Sequence, residues 1–195
     1  MKKILTSLIL VLLFIPIMVF AQDKGPGKED GNTGIVYGDN HVFSVSAPEG
    51  WVLDTEALAG RGVHAVFYEK GFTFQDAPSI IYANVVQLDS VHNKDLEGVI
   101  QGDIDKFKKD SPEIIIKDGK PIETSEGKNK AVIRSFFDES YGTWEAVGYI
   151  PEEEIVVIIV LNAISMKEYE KSLDAFKSVV ESYLFLGVEL KMNTN

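Results

Sequence analysis

The 195-residue chain contains no cysteine. Disulfides, thiolate nucleophiles, cysteine-based zinc sites and iron–sulfur ligation are therefore excluded, as is lipid attachment through an N-terminal cysteine. Histidine is scarce. His41, His64 and His92 stand singly, with no H-x-x-x-H or H-E-x-x-H spacing, so no histidine-held metal is expected. Calcium has no better support, because Asp103 and Asp105 lie two apart on a predicted helix and no D-x-D-x-D-G loop occurs. Basic residues are in deficit, 19 against 30 acidic, giving a formal net charge of −11. Nucleic acid and anionic lipid are disfavoured partners for such a surface, since both need basic side chains, and the charge itself serves solubility. Also missing are G-x-S-x-G, the phosphate-cradling G-x-x-x-x-G-K-[ST] and the dinucleotide loop G-x-G-x-x-G, and no S-x-x-K opens a predicted helix. No cofactor is expected.

What is present begins with an export signal. Lys2 and Lys3 precede the apolar stretch Ile4 to Phe20, Pro16 interrupts it near its end, and Val19-Phe20-Ala21 offers a small-residue cleavage site ahead of Gln22. This is the layout of a secretory signal peptide over residues 1–21, cleaved after Ala21, leaving no stable membrane anchor. Residues 22–34, QDKGPGKEDGNTG, hold four glycines, a proline and no apolar side chain. Such a composition cannot offset its ordering entropy by burial, so a disordered linker is expected there. One domain over residues 35–190 follows, long enough to bury roughly 70% of its unfolded surface, with a short tail at 191–195.

Inside the domain the hydrophobic period changes several times. Ile35-Val36-Tyr37 and Val42 to Val45 flank a turn at Gly38 to Asn40 and read as a hairpin, which ends in Ala47-Pro48-Glu49-Gly50-Trp51. Val63 to Glu69 and Ile80 to Leu88 are further β runs, separated by a loop carrying Phe72 and Phe74. From Asn93 to Lys109 the period becomes helical: Leu96, Val99, Ile100, Ile104 and Phe107 share a face, with Asn93 as the predicted N-cap. Short strands at 114–116 and 121–124 precede three long ones at 131–137, 143–150 and 155–163. The last, IVVIIVLNA, is apolar on both alternations and so belongs in the sheet centre, covered on both faces. Ser165 and Glu168 form a capping box ahead of a second helix expected to run from Met166 to about Leu184. The predicted class is α+β, an α-β-α sandwich in which a mainly antiparallel sheet is flanked by two main helices.

Phe43-Ser44-Val45 leading into Pro48-Glu49-Gly50-Trp51, the mid-chain amphipathic helix and the paired strands ending in a capped helix together resemble the PsbP-like, DcrB-like family of exported domains. The resemblance covers Val42 to about Phe185. It implies a helix-flanked antiparallel sheet and a non-enzymatic role in binding or stabilising other proteins. No functional residue transfers with it, and Trp51 is expected to plug the core.

The residues themselves favour partner binding. Phe72 and Phe74 flank Thr73 and would share a side if extended; Trp144 lies on a strand whose alternate positions, Ala146 and Gly148, are small enough to leave a shallow groove. The burial habit of aromatics points the other way, toward the core. Arg134, in an apolar strand, should bridge to an acid or reach outward, and Glu152-Glu153-Glu154 reads as a solvated hairpin tip. The expected function is a non-catalytic protein-binding or adaptor domain acting on another envelope or secreted protein. Alternatives are a small-ligand carrier, which needs a deep apolar pocket, and a hydrolase with an unrecognised carboxylate or serine-based site.

Overall fold

A computed structural model describes residues 33–38, 41–61, 63, 65–89, 93–125 and 127–187. The leader, most of the linker, His64, His92 and the tail lie outside these residues. The chain divides into Met1–Asp30 and Gly31–Asn195, and the second unit is the domain.

Among the described residues, eleven strands, two α-helices and a short 3-10 turn at Ala59–Arg61 follow the order expected of an α+β fold, strands, helix, strands, helix, with one more strand at the end. Strands β1 (Thr33–Gly38) and β2 (His41–Ser46) form the predicted hairpin. They are followed by β3 (Trp51–Asp54), β4 (Ala65–Glu69), β5 (Ser79–Gln87) and helix α1 (Leu96–Asp110). Next come β6 (Ile115–Asp118), β7 (Ile122–Glu123), β8 (Lys130–Asp138), β9 (Thr143–Pro151), β10 (Ile155–Ala163), α2 (Met166–Glu181) and β11 (Leu184–Gly187). The large sheet runs β3-β4-β5-β10-β9-β8-β6, with β7 also paired to β8, and every described pairing is antiparallel.

Strand β10 occupies the middle, as its two-sided apolarity requires. Ile155, Val157, Ile159, Leu161 and Ala163 enter one apolar cluster, which α2 joins through Tyr169, Phe176, Val179 and Val180. Val156, Ile158 and Val160 enter a second cluster, which α1 joins through Val99 and Ile100. A third, smaller cluster of Val63, Val66 and Tyr68 fills the β3–β5 end. Trp51 is buried in the first cluster as expected, and it opens β3 rather than merely closing a turn. Gly50 before it has φ +80°, a backbone setting that favours glycine.

Two sequence expectations need correction, the end of the last helix and the cap of α1, and the hairpin has a placement that local pattern left open. The hairpin is not part of the large sheet: β1 and β2 form a separate three-stranded sheet with β11, in the order β1-β2-β11. That sheet packs Val36, Phe43 and Val45 into the same cluster as α2, so one face of the large sheet has a composite cover. The last helix stops at Glu181, and Leu184 and Phe185 pair with Ser44 and Phe43 of β2 instead of continuing it. The cap of α1 is Asp95, not Asn93; its side chain accepts the Gly98 N–H at 2.8 Å. The α2 cap is as predicted, with the Ser165 hydroxyl accepting the Glu168 N–H at 3.3 Å. No helix of the described residues is long and apolar enough to cross a membrane.

Candidate functional site

The three aromatics singled out by the sequence do not form one surface. Phe72 is 42% exposed. Phe74, two residues on, packs inward on the Val63, Val66 and Tyr68 cluster. The segment between them is a turn, not a strand: Asp76 Oδ1 accepts the Thr73 N–H at 2.5 Å and its hydroxyl at 2.8 Å, and the Ala77 N–H returns to the Thr73 carbonyl at 3.0 Å. Those Thr73 bonds hold the Asp76 carboxyl below its usual range.

Trp144 is half-buried against the first cluster and tilts toward Phe137, 6.0 Å between ring centroids. The groove expected beside it is filled. A Cβ on Gly148 would stand 3.3 Å from Ile133 Cδ1 and Val180 Cγ2 and 3.5 Å from Phe176 Cζ. The small residues of β9 let α2 approach the sheet, and no cleft remains for a partner there.

Other expectations resolve simply. Arg134 bridges to an acid, its Nε 3.2 Å from Asp118 Oδ1 on the neighbouring strand. His41 is buried at the start of β2; its ring stacks on Phe43 and lies so close over Gly38 that a Cβ there would meet Cε1 at 2.5 Å. Glu153 and Glu154 are exposed, but Glu152 is not a solvated tip residue. Its Oε1 accepts the Tyr183 hydroxyl at 2.9 Å and the Asn129 amide at 3.0 Å.

Sequence reasoning missed a polar group beneath α1. Asp103 falls within about 20° of Leu96 on the helical wheel, in the middle of the apolar stripe. The Tyr149 hydroxyl donates to its Oδ2 at 3.0 Å. On β9 the inward alternation of Tyr149 and Val147 continues to Glu145, whose Oε1 accepts the Asn162 amide across the β9–β10 ladder at 2.8 Å. Tyr82 of β5 feels the charge of both acids.

Burial raises Asp103 above the ordinary carboxyl range, against the Tyr149 bond and the Lys106 charge. Burial also raises Glu145, with the Asp103 charge adding to it while Asn162 and Lys106 oppose. The Tyr82 phenol is pushed up to about 12 by burial and then by the two acids. The signal for this group was visible in each element alone, as a carboxylate on an apolar face. Their meeting depends on the placement of α1 over β9.

Such a pair holds a proton more firmly than exposed acids do. Two cavities lie away from these carboxyls. One, of about 70 Å³, adjoins Glu152 and Tyr183. The other, of about 200 Å³, lies between Val36–Gly38 and Ala83–Val85. Among the described residues no three His, Asp or Glu side chains are placed to share a metal.

The raised Glu145 carboxyl has a consequence for stability. A folded-state pKa above the unfolded value means the proton favours the fold, so its contribution is greatest at low pH and is lost as pH rises toward the folded pKa. Glu145→Gln should therefore be more stable than wild type near pH 8 and not below about pH 4. Urea midpoints across that range check it, and a pH-independent difference would refute it.

No family model and no curated protein matches the chain. Solved structures do. Cyanobacterial PsbP (CyanoP) from Synechocystis sp. PCC 6803 aligns with TM-score 0.51 at 10% identity, over 82% of this chain and 96% of that one. LpqN, involved in cell envelope biogenesis of Mycobacterium tuberculosis, aligns with TM-score 0.50 at 16% identity, over 80% and 92%. The chain thus falls among α+β domains built on a broad antiparallel sheet with two helices. Its fold is PsbP-like.

Proposed function

We propose that this chain is an exported, non-catalytic accessory domain that docks on another envelope or secreted protein through its three-stranded sheet. The observation carrying this reading is apolar side chains exposed along the edges of that sheet: on β1 Ile35 is 56% exposed and Tyr37 72%, and Leu186, at a register shift in β11, is 49% exposed. Isolated exposed apolar residues mean little, but a set gathered on one small sheet is what an interaction face requires. β1 adds an edge with neither charge nor proline to protect it.

The leader at residues 1–21 and the shared fold support export. In this reading the domain is an α–β–α sandwich, with α1 over one apolar cluster of the sheet and α2 over the other. Phe72 remains a candidate contact; Phe74 and Trp144 serve chiefly to pack. The two cavities described above give a small-ligand carrier no support, since each falls below the roughly 300–1,000 Å³ of ordinary ligand sites.

A photocrosslinking side chain at Tyr37, in cells producing the full chain, should give a discrete adduct that the same probe at Tyr141 does not. Tyr141 is 67% exposed at the β8–β9 turn and so controls for accessibility. Ile35→Ser should abolish the adduct while changing stability by no more than about 0.5 kcal/mol. Equal labelling at the two positions, or none at either, would count against docking by the small sheet.

A further inference from the structure

The large sheet stops short along one side of β5, where two main-chain hydrogen bonds are diverted. The Leu88 N–H bonds the Glu154 carbonyl at 2.9 Å, and the Ile164 N–H bonds the Pro78 carbonyl at 3.0 Å. Bonded positions alternate along an antiparallel ladder, so the even residues of β5 face β10 and the odd ones, Val85 among them, face β4. Among the described residues the β4–β5 ladder runs from Phe67–Ile81 to Ala65–Ala83 and ends there. In that register the next bonded rung joins Val63 to Val85. It does not form. The Val63 N–H turns back to the Leu58 carbonyl at 3.3 Å, and the Val85 N–H is taken by the neighbouring side chain, Asn84 Oδ1 at 2.8 Å.

The cavity of about 200 Å³ lies at this unfinished edge. Val36 and Tyr37 of β1 line one side of it, and Ala83 and Val85 of β5 line the other. We infer that this slot receives an extended, uncharged segment of the docking partner: its main chain takes the Val85 N–H from Asn84, and one apolar side chain enters the cavity. This mode of binding rests on docking by the small sheet and names what the partner brings to it.

Three features select that occupant. No Asp, Glu, Lys or Arg lines the cavity, in a chain with 30 acidic and 19 basic residues. A charged side chain entering it would be desolvated without a counter-charge. The size suits one side chain, since an apolar cavity of roughly 150 Å³ holds a benzene ring. The Asn84 bond is also replaceable. Asn84 is exposed, so its amide returns to water when a main-chain carbonyl takes its place. Main-chain pairing then supplies affinity, and the single pocket supplies preference.

The test uses the full chain and a blocked hexapeptide of alternating valine and threonine, with a diazirine-bearing leucine at one valine position. Irradiation should attach it to Val36, Ala83 or Val85. Val85→Pro deletes the edge donor but no bond to β10, and should abolish the adduct. Asn84→Ala frees that donor and should tighten the peptide about fivefold, the weight of one ordinary hydrogen bond. Should Val85→Pro fail to fold, as lost hydrogen-exchange protection in β10 would reveal, the Asn84→Ala shift decides alone. No adduct, an adduct mapped elsewhere, or an affinity unchanged by Asn84→Ala would overturn the slot. So would binding that weakens as the chain is concentrated, which would make a second copy the occupant. The Tyr37 crosslink in cells separates the two readings: if it forms and neither variant alters it, docking by the small sheet stands and the slot falls.

Discussion

Phe176→Ala should destabilise the domain by about 3–5 kcal/mol, the range for emptying a fully packed aromatic site. Phe176 is buried on α2 and lies against Gly148, where β9 has no side chain to hold the helix away. Gly148→Val attacks the same contact from the other side. Its first carbon alone would press on Ile133 and Val180 at 3.3 Å, so the branched side chain forces α2 outward at about 1–3 kcal/mol or more. Combining the two gives the decisive result. The valine methyls enter the space that the phenyl ring vacates, so the double variant should be more stable than the sum of the singles by about 0.5–3 kcal/mol. Denaturant unfolding followed through Trp51 and Trp144 measures all three. Strict additivity would show that Gly148 and Phe176 do not share one packing site.

That contact also explains where the sequence misled. Ala146 and Gly148 beside Trp144 look like a groove because nothing local fills the space; the filling side chains come from Ile133 of β8 and from Phe176 and Val180 of α2. The central strand was readable because its evidence is internal: IVVIIVLNA is apolar on both alternations whatever surrounds it. The second helix was readable at its start for the same reason, through the Ser165 cap. Its end was not. Tyr183, Leu184 and Phe185 continue the apolar run with no glycine until Gly187, and only pairing with Ser44 and Phe43 turns the chain into β11. Long-range pairing decided a boundary that helix propensity left open.

The candidate sites divide along the same line. Asp103 in an apolar stripe and Glu145 on an inward alternation are each anomalies of one element, visible without a structure. That Asp103 takes the Tyr149 hydroxyl of β9 requires knowing that α1 lies on β9, which no local pattern states. Ile35 and Tyr37 read as an ordinary hairpin strand, and nothing in that local pattern says which sheet the hairpin joins. Their exposure follows from its separation into a small sheet with β11.

Glu152→Ala should cost about 2–3 kcal/mol, because it removes a charged acceptor and leaves two donors without it. Tyr183 is buried, and its hydroxyl reaches Glu152 at 2.9 Å, with Asn129 at 3.0 Å. Burial, followed by the Glu152 charge, raises the Tyr183 phenol above its ordinary range, so it remains a donor at any physiological pH. Tyr183→Phe alone should cost about 1 kcal/mol; made in the Glu152→Ala background it should cost nothing or restore stability, since it deletes the orphaned hydroxyl. The residue matters beyond its own bond. The Tyr183 carbonyl accepts the Ser125 N–H at 3.2 Å, and its ring lies 5.4 Å from Phe43 of β2. It therefore stands where α2 ends, β11 begins and the small sheet meets the large one. If Glu152 sets that junction, its removal should lower hydrogen-exchange protection in β2 and β11 before β10, and weaken the Tyr37 crosslink with Tyr37 itself unchanged. Uniform loss across both sheets would reduce Glu152 to a general contributor to stability.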